Sequence, residues 1–500
     1  MPSLRDPLPG PRPRAAARAR ARARARARRR RALRRRRASL VLLCATAVLA
    51  GVLLVSGGDH RISGAPPGGV AVEARSTDPF SYATNRAVQF TERAAAGNAN
   101  VLFTKSPGGA LATAARVARW RPLIDAAVKG TQIDPNLLEG LVFVESAGRP
   151  GVIAGSSVSD AAGLTQILAA TASSLLGMHI DLARSRSLTA RIASFSGRGA
   201  AARRRLGRLE RARATADPRF APRAELAATV RYLQDAERSF GREDLAFESY
   251  HMGMGNLQNL LRLYDGGRPV PYVQLYFDTA PTRHVAAFRM LQGFGDDSCL
   301  YWWRILGAVQ IMHLYRTDRA RLRRENALAL ADPAGGTALH PPGDPVRWSS
   351  PAQLSSAYRT GTLTPLPRNP RTVGLLYNPA MGAEARAISA PRSLYRGLRP
   401  VALYELEAMA VRIRALSGAA PLQVASTVQD TAYQQAAGLA QPLAATGWQF
   451  QIARRYRSAA QAAAFQELLD RLQSLDLIAW APDGGAIDVT VAADARSWRG

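Results

Sequence analysis

Residues 141–150 read LVFVESAGRP, so one glutamate, Glu145, follows four apolar residues and precedes a small polar run closed by Pro150. The preceding stretch, IDPNLLEGLVFVES, predicts a helix with Asp134 as N-cap and Pro135 at the first helical position, stopped by Gly148 and Pro150. Leu138, Leu141 and Val142 lie seven, four and three residues before Glu145, which places the carboxyl on the helix's apolar stripe rather than its wet face. Burial and the partial negative charge of a helix C-terminus both disfavour ionisation there, so the expected pKa shift is upward. A carboxyl held protonated near neutral pH is equipped to act as a general acid. A glutamate that is merely paired or snorkelling at a helix end has the same local sequence. Other segments must decide between the two.

Metal chemistry has little to work with. The histidines stand at 60, 179, 251, 284, 313 and 340, the cysteines at 44 and 299, and none of these lies in 401–500. No zinc site of His or Cys can form in that last stretch, and no metal or cofactor is expected elsewhere. With Cys44 inside an apolar run, no intramolecular disulfide is expected outside it.

The formal net charge of +30 resembles that of a nucleic-acid binder, but its distribution argues otherwise: residues 1–40 carry sixteen arginines and one aspartate. No nucleic-acid partner is expected; lipid headgroups are the nearer polyanion. The Arg-rich tail (1–37) runs into an uncharged stretch long enough to span hydrocarbon (38–58), which predicts a single transmembrane helix with its N-terminus in the cytoplasm and the remainder extracytoplasmic. A retained anchor is preferred over a cleaved signal peptide because no A-x-A pattern follows. Residues 59–90 read as a Gly/Pro-rich linker and 91–330 as mainly helical. Within the latter, the basic stretch 184–220 looks like an insertion, solvated or lying on an anionic surface. The apolar run SCLYWWRILGAVQIMHLY (298–315) is broken by Arg304, Gln310 and His313 and recurs at helical spacing, so a buried core helix is expected, with Trp302 and Trp303 in packing. Residues 331–400 read as a Pro/Gly-rich connector or a small irregular module. In 401–500, LQVASTV and WQFQI alternate, an amphipathic helix follows, and LIAWAPDGGAIDVTV closes as a hairpin, giving a small α+β domain. The fold class expected is therefore multi-domain.

Three segments in order, IDPNLLEGLVFVESAGRP, SDAAGLTQI and ESYHMGMGNL, resemble the motifs of Slt-type lytic transglycosylases, glycoside hydrolase family 23, over roughly residues 110–260. The resemblance implies a lysozyme-like catalytic domain with Glu145 as the catalytic acid. It further implies glycan contacts by Ser146, by Gly163, Leu164 and Gln166, and by Tyr250, His251 and Gly253, with Tyr250 hydrogen-bonded to Glu145. Thr165 replaces a usual methionine, Ala169 a frequent proline, and His251 and Met252 an asparagine-alanine pair; the last two bear on substrate detail. Asp160 and Glu248, the other acids in these motifs, read as solvated. In the family no second acid is required, because N-acetylmuramic acid supplies its own acetamido and C6-hydroxyl groups.

Residues 401–500 resemble, more weakly, zinc-dependent D,D-carboxypeptidase-like domains. The ligand and arginine positions implied by that resemblance read Gln429, Ala444, Gln451 and Asp488, so the domain is degenerate and expected to brace the body or to contact stem peptide. The expected function is membrane-anchored cleavage of peptidoglycan glycan strands with 1,6-anhydro products. A hydrolytic muramidase and a catalytically silent scaffold remain the alternatives.

Overall fold

The helix carrying Glu145 forms as its ends dictate. The Asp134 side chain accepts a hydrogen bond from the Asn136 N–H at 2.7 Å, and Pro135 takes the first helical position. At the other end Ala147 adopts a left-handed conformation, φ 55°, one residue before the expected glycine stop. The computed structural model describes residues 80–294, 297–331 and 346–499, all within one compact unit. The Arg-rich tail, the proposed span and most of the expected linker lie outside the described residues. Among the described residues no helix is long and apolar enough to cross a membrane.

The fold is mainly helical with a small C-terminal sheet. Its principal helices are α1 (Ala87–Lys105), α2 (Pro135–Ser146), α3 (Leu182–Ala193), α4 (Gly199–Ala216), α5 (Pro222–Phe240), α6 (Glu243–Met252), α7 (Tyr301–Thr317), α8 (Pro400–Ser417) and α9 (Ala459–Ser474). Helix α1 starts at Ala87, so the last residues assigned to the linker are already helical.

The apolar run at 298–315 becomes α7, the central helix. Trp303, Ile305 and Ala308 are fully buried and Tyr301, Ile311 and Met312 nearly so. A helix with so wide an apolar surface must pack on more than one neighbour, and α7 packs on both α1 and α2, leaving Gln310, His313 and Arg316 exposed. Its crossing with α2 is antiparallel and close at Gly140, where a Cβ would come 2.9 Å from the Ile305 carbonyl oxygen and 3.1 Å from a Val309 methyl. Trp303 packs among Tyr272, Tyr276 and Phe277, a structural rather than sugar-facing role.

The stretch 184–220 folds as an antiparallel pair, α3 and α4, whose buried residues are few: Ser185 and Leu188 on one, Arg213 and Ala216 on the other. It meets the body through the 3-10 turn Pro218–Phe220.

Strands β1 (Thr364–Pro365) and β3 (Gly397–Leu398) pair as a short ribbon. Strands β2 (Leu375–Tyr377), β4 (Leu422–Ser426), β5 (Gln449–Ala453), β6 (Ile478–Asp483) and β7 (Ala486–Val491) form one sheet in the order β2-β4-β5-β7-β6. The β6–β7 hairpin turns at Gly484–Gly485, as the alternating pattern predicts. The connector expected at 331–400 is more than a tether. It supplies β2, parallel to β4, because Leu375 is apolar and its burial completes the sheet's edge.

Nor does the C-terminal region stand apart from the helical body, since one hydrophobic core runs through both. Arg471 of α9, 6% exposed, donates to the Phe277 and Thr279 carbonyls at 2.8 and 2.7 Å. Asn98 of α1 donates to Ser474, Arg93 bonds Asp494, and the Phe90 and Trp498 rings meet edge to face at 4.6 Å. Buried cations facing carbonyls need fixed geometry to offset desolvation, which ties the two regions in one register.

The α2–α7 crossing yields a stability prediction. Gly140→Val should cost ~1–3 kcal/mol by overpacking and lower the thermal midpoint by several degrees in a calorimetric scan. An unchanged midpoint would contradict so close a crossing.

Candidate active site

Because α7 runs antiparallel to α2, its first residue meets the last turn of α2. The Tyr301 hydroxyl donates to Glu145 Oε1 at 2.6 Å. Burial pushes the Glu145 carboxyl up to about 7, while the Tyr301 hydrogen bond, by favouring the charged form, pulls it down. Glu145 is half-buried and lines a cavity of about 230 Å³ together with Val101, Lys105, Ser146, Arg149 and Arg304. Arg304 is paired with Asp297 at 2.6 Å. Lys105 and Arg149 are exposed at this cavity, which gives it a positive rim.

Tyr250 does not bond Glu145 as the resemblance implies. Its hydroxyl donates to the Thr165 carbonyl at 2.9 Å and sits 3.4 Å from the Thr229 hydroxyl. The Tyr250 ring lies nearly parallel to that of Tyr301, 14° between planes and 6.5 Å between centroids. His251 stacks on Tyr301 from its own position, 5.1 Å away, with Nδ1 3.0 Å from the Ser298 hydroxyl. Thus Tyr301, which sequence reasoning passed over as a core residue, holds the carboxyl. Tyr250 ties the 163–166 loop instead. No local signal marks Tyr301, since the contact spans 156 positions.

That loop hangs on a second buried acid. Glu225, fully buried in the first turn of α5, accepts from the Leu164 N–H at 2.6 Å, the Thr165 N–H at 2.7 Å and the Thr165 hydroxyl at 3.0 Å. Desolvation still outweighs these donors and pushes its carboxyl up to about 8. Sequence reading missed it, although Glu225, Thr229, Leu233 and Ala236 form the same kind of stripe that singled out Glu145. Gly163, φ 95°, is obligatory here, because a Cβ would overlap the Arg219 carbonyl and the Glu225 carboxyl. Thr165, where the resemblance expects methionine, is fully buried and also bonds Thr229 at 2.9 Å, so its hydroxyl is what the Glu225 anchor requires. Arg219, fully buried, pairs with Asp217 and donates to the Val158, Asp160 and Ile167 carbonyls, fixing the loop's base.

The remaining expected contacts divide. Gln166, φ 54°, uses its amide NH₂ on the Val152 and Gly163 carbonyls at 3.1 and 2.7 Å, so those donors brace the loop rather than face outward. Leu164 is fully buried and takes part through its backbone. Ser146 is 2% exposed, with its hydroxyl 3.3 Å from the Val142 carbonyl of its own helix. Gly253, φ 86°, ends α6. His251 is exposed beside Tyr301.

Glu248 is not solvated. It is fully buried and accepts from the Trp302 N–H at 2.8 Å, capping the first turn of α7, and burial pushes its carboxyl up to about 8. Asp160 accepts from the Ser157 N–H at 3.0 Å within its own turn and is half-buried. Among the described residues the carboxyls pushed furthest toward protonation are Glu145, Glu225 and Glu248; Glu225 and Glu248 are sealed from solvent, and of these three Glu145 alone lines a cavity, while Glu243, raised less, lines a separate one. A larger cavity, about 540 Å³, lies between α1 and α7, where Glu139 is already paired with Arg121 and Arg316. Among the described residues no cluster of His, Cys, Asp and Glu is arranged to hold a metal ion.

In the C-terminal sheet, Gln451 accepts from the Ser426 hydroxyl at 2.7 Å and donates to Asp488 at 2.8 Å and Asp483 at 3.1 Å. Gln429 is 7% exposed and Ala444 is buried. Side-chain amides thus occupy what the weaker resemblance implies was a ligand position. The chain matches no protein-family model and no curated protein.

The Tyr301–Glu145 bond has a measurable consequence. Tyr301→Phe removes a donor to the carboxylate, so the Glu145 pKa should rise above about 7. Carbon-13 NMR titration of glutamate-labelled protein reads this directly; an unchanged or lower value would show that Tyr301 does not stabilise the ionised form.

Proposed function

We propose that this chain is a membrane-anchored lytic transglycosylase that cleaves the β-1,4 bond between N-acetylmuramic acid and N-acetylglucosamine in peptidoglycan. The observation that carries the reading is a half-buried carboxyl, held toward protonation near neutral pH, at a cavity that no second carboxylate lines among the described residues. Most glycosidases need two such groups. One suffices when the substrate provides the rest.

In this reading Glu145 gives its proton to the glycosidic oxygen as the bond to C1 breaks. The muramic acetamido group stabilises C1, and the C6 hydroxyl then closes on C1 as the Glu145 carboxylate accepts that hydroxyl's proton, the first proton having left on the departing sugar. The Tyr301 hydroxyl favours the carboxylate between the two steps and so eases the first transfer. Tyr301, on which His251 stacks, borders the acid, and Lys105 and Arg149 suit a glycan whose lactyl and peptide substituents are anionic. Residues 401–500 brace this body in the proposal, supported by Arg471 and Asn98, with stem-peptide contact as the alternative role.

Glu145→Gln keeps the shape but removes the transferable proton, and should lower release of anhydro-muropeptides from purified sacculi by ~10²–10⁴-fold. Glu248→Gln keeps a carbonyl acceptor for Trp302 and should retain most activity. Mass analysis separates the outcomes: products one water heavier would assign a muramidase, and glycan binding without turnover a silent scaffold. Near-normal anhydro product from folded Glu145→Gln would remove Glu145 from the chemistry.

The basic tail followed by an uncharged run supports an anchor with the N-terminus inside. Protease added to intact spheroplasts should digest the chain beyond residue 60. Protection of that region with loss of the tail would reverse the orientation.

A further inference from the structure

The α3–α4 pair is held far from charge balance. Residues 182–216 contain ten arginines and one glutamate. Between the two helices lies a cleft of about 430 Å³ into which Arg184 and Arg191 of α3 and Arg205 and Arg208 of α4 converge over a floor that includes Leu188 and Ala212. All four arginines are exposed, no carboxylate lines the cleft, and no ion pair within the described residues engages any of them. By contrast Arg213, near the base of α4, is buried over the Phe220 ring at 3.9 Å and serves the fold.

Convergence of like charges over a concave surface raises the local potential and opposes folding unless an anion shares the site. Guanidinium groups are suited to that anion being a phosphate, which they bind through paired N–H donors. We propose that this cleft binds a linear phosphodiester polymer and so docks the protein on a polyanion, independently of what Glu145 does. A polymer is favoured over a lipid surface on two grounds. The site is a groove between two helices rather than a plane, and none of the exposed large hydrophobic residues falls between 182 and 216, so the pair offers nothing to insert into a bilayer.

Phenylglyoxal modification of the full-length protein in neutral detergent, mapped arginine by arginine by mass spectrometry, tests this without interference from the N-terminal arginines. Poly(glycerol phosphate) should slow modification of Arg184, Arg191, Arg205 and Arg208 at least several-fold more than that of Arg203 and Arg204, which are exposed on α4 but do not line the cleft. The double substitution Arg191→Gln with Arg208→Gln should weaken polymer binding more than Arg203→Gln with Arg204→Gln, although both remove the same charge. Equal protection of all six arginines, equal loss in the two double variants, or absence of protection would overturn the proposal. So would protection by phosphatidylglycerol vesicles but not by the polymer, which would assign the surface to lipid.

Discussion

A helix whose apolar residues fill most of its surface has to be largely enclosed, and α7, whose exposed polar edge includes Gln310, His313 and Arg316 in its middle and last turns, is that helix here. Its burial between α1 and α2 determines what meets what. The close approach at Gly140 sets the antiparallel crossing with α2, and that crossing brings the first residue of α7 to the last turn of α2. Two acids then meet the start of α7: Glu248 caps its Trp302 N–H, and Glu145 accepts from the Tyr301 side chain. The first N–H groups of any helix lack intrahelical partners and favour negative charge, so this end of α7 is a natural place to gather carboxyls.

Burial treats these two acids and Glu225 of α5 alike but leaves them different work. Glu145, Glu225 and Glu248 are all pushed upward by desolvation. Glu225 spends its lone pairs on the backbone of the 163–166 loop and Glu248 on the α7 cap, both out of solvent's reach. Glu145 keeps one strong donor and a face toward a cavity. A proton on a sealed carboxyl stabilises a fold, whereas a proton on an accessible one can be delivered. The chemical reading of this chain rests on that distinction.

The C-terminal sheet illustrates a similar economy. Its strands hold a Ser426–Gln451–Asp488 hydrogen-bond chain, and its α9 helix is stitched to the body through Arg471 and Ser474. The α3–α4 pair does the opposite, keeping few buried residues and presenting its cations outward.

Much of this was legible locally. Asp134 and Pro135 start α2 as their side chain and ring dictate, the glycine pair turns the β6–β7 hairpin, and the stripe of Leu138, Leu141 and Val142 places Glu145 inward. These follow from interactions within a few residues, where periodicity and capping chemistry operate. The partner of Glu145 was not legible, because Tyr301 lies 156 positions away and nothing near either residue encodes the pairing. Likewise the solvated appearance of Glu248, the outward roles expected of Ser146 and Gln166, and the choice between connector and small module for 331–400 depended on what chain folds over those residues. Sequence alone determined which residues could ionise, cap and turn. Only the tertiary structure decided which of the acids was sealed and which faced a cavity, because desolvation is set by everything that packs around a group and not by its neighbours in the chain.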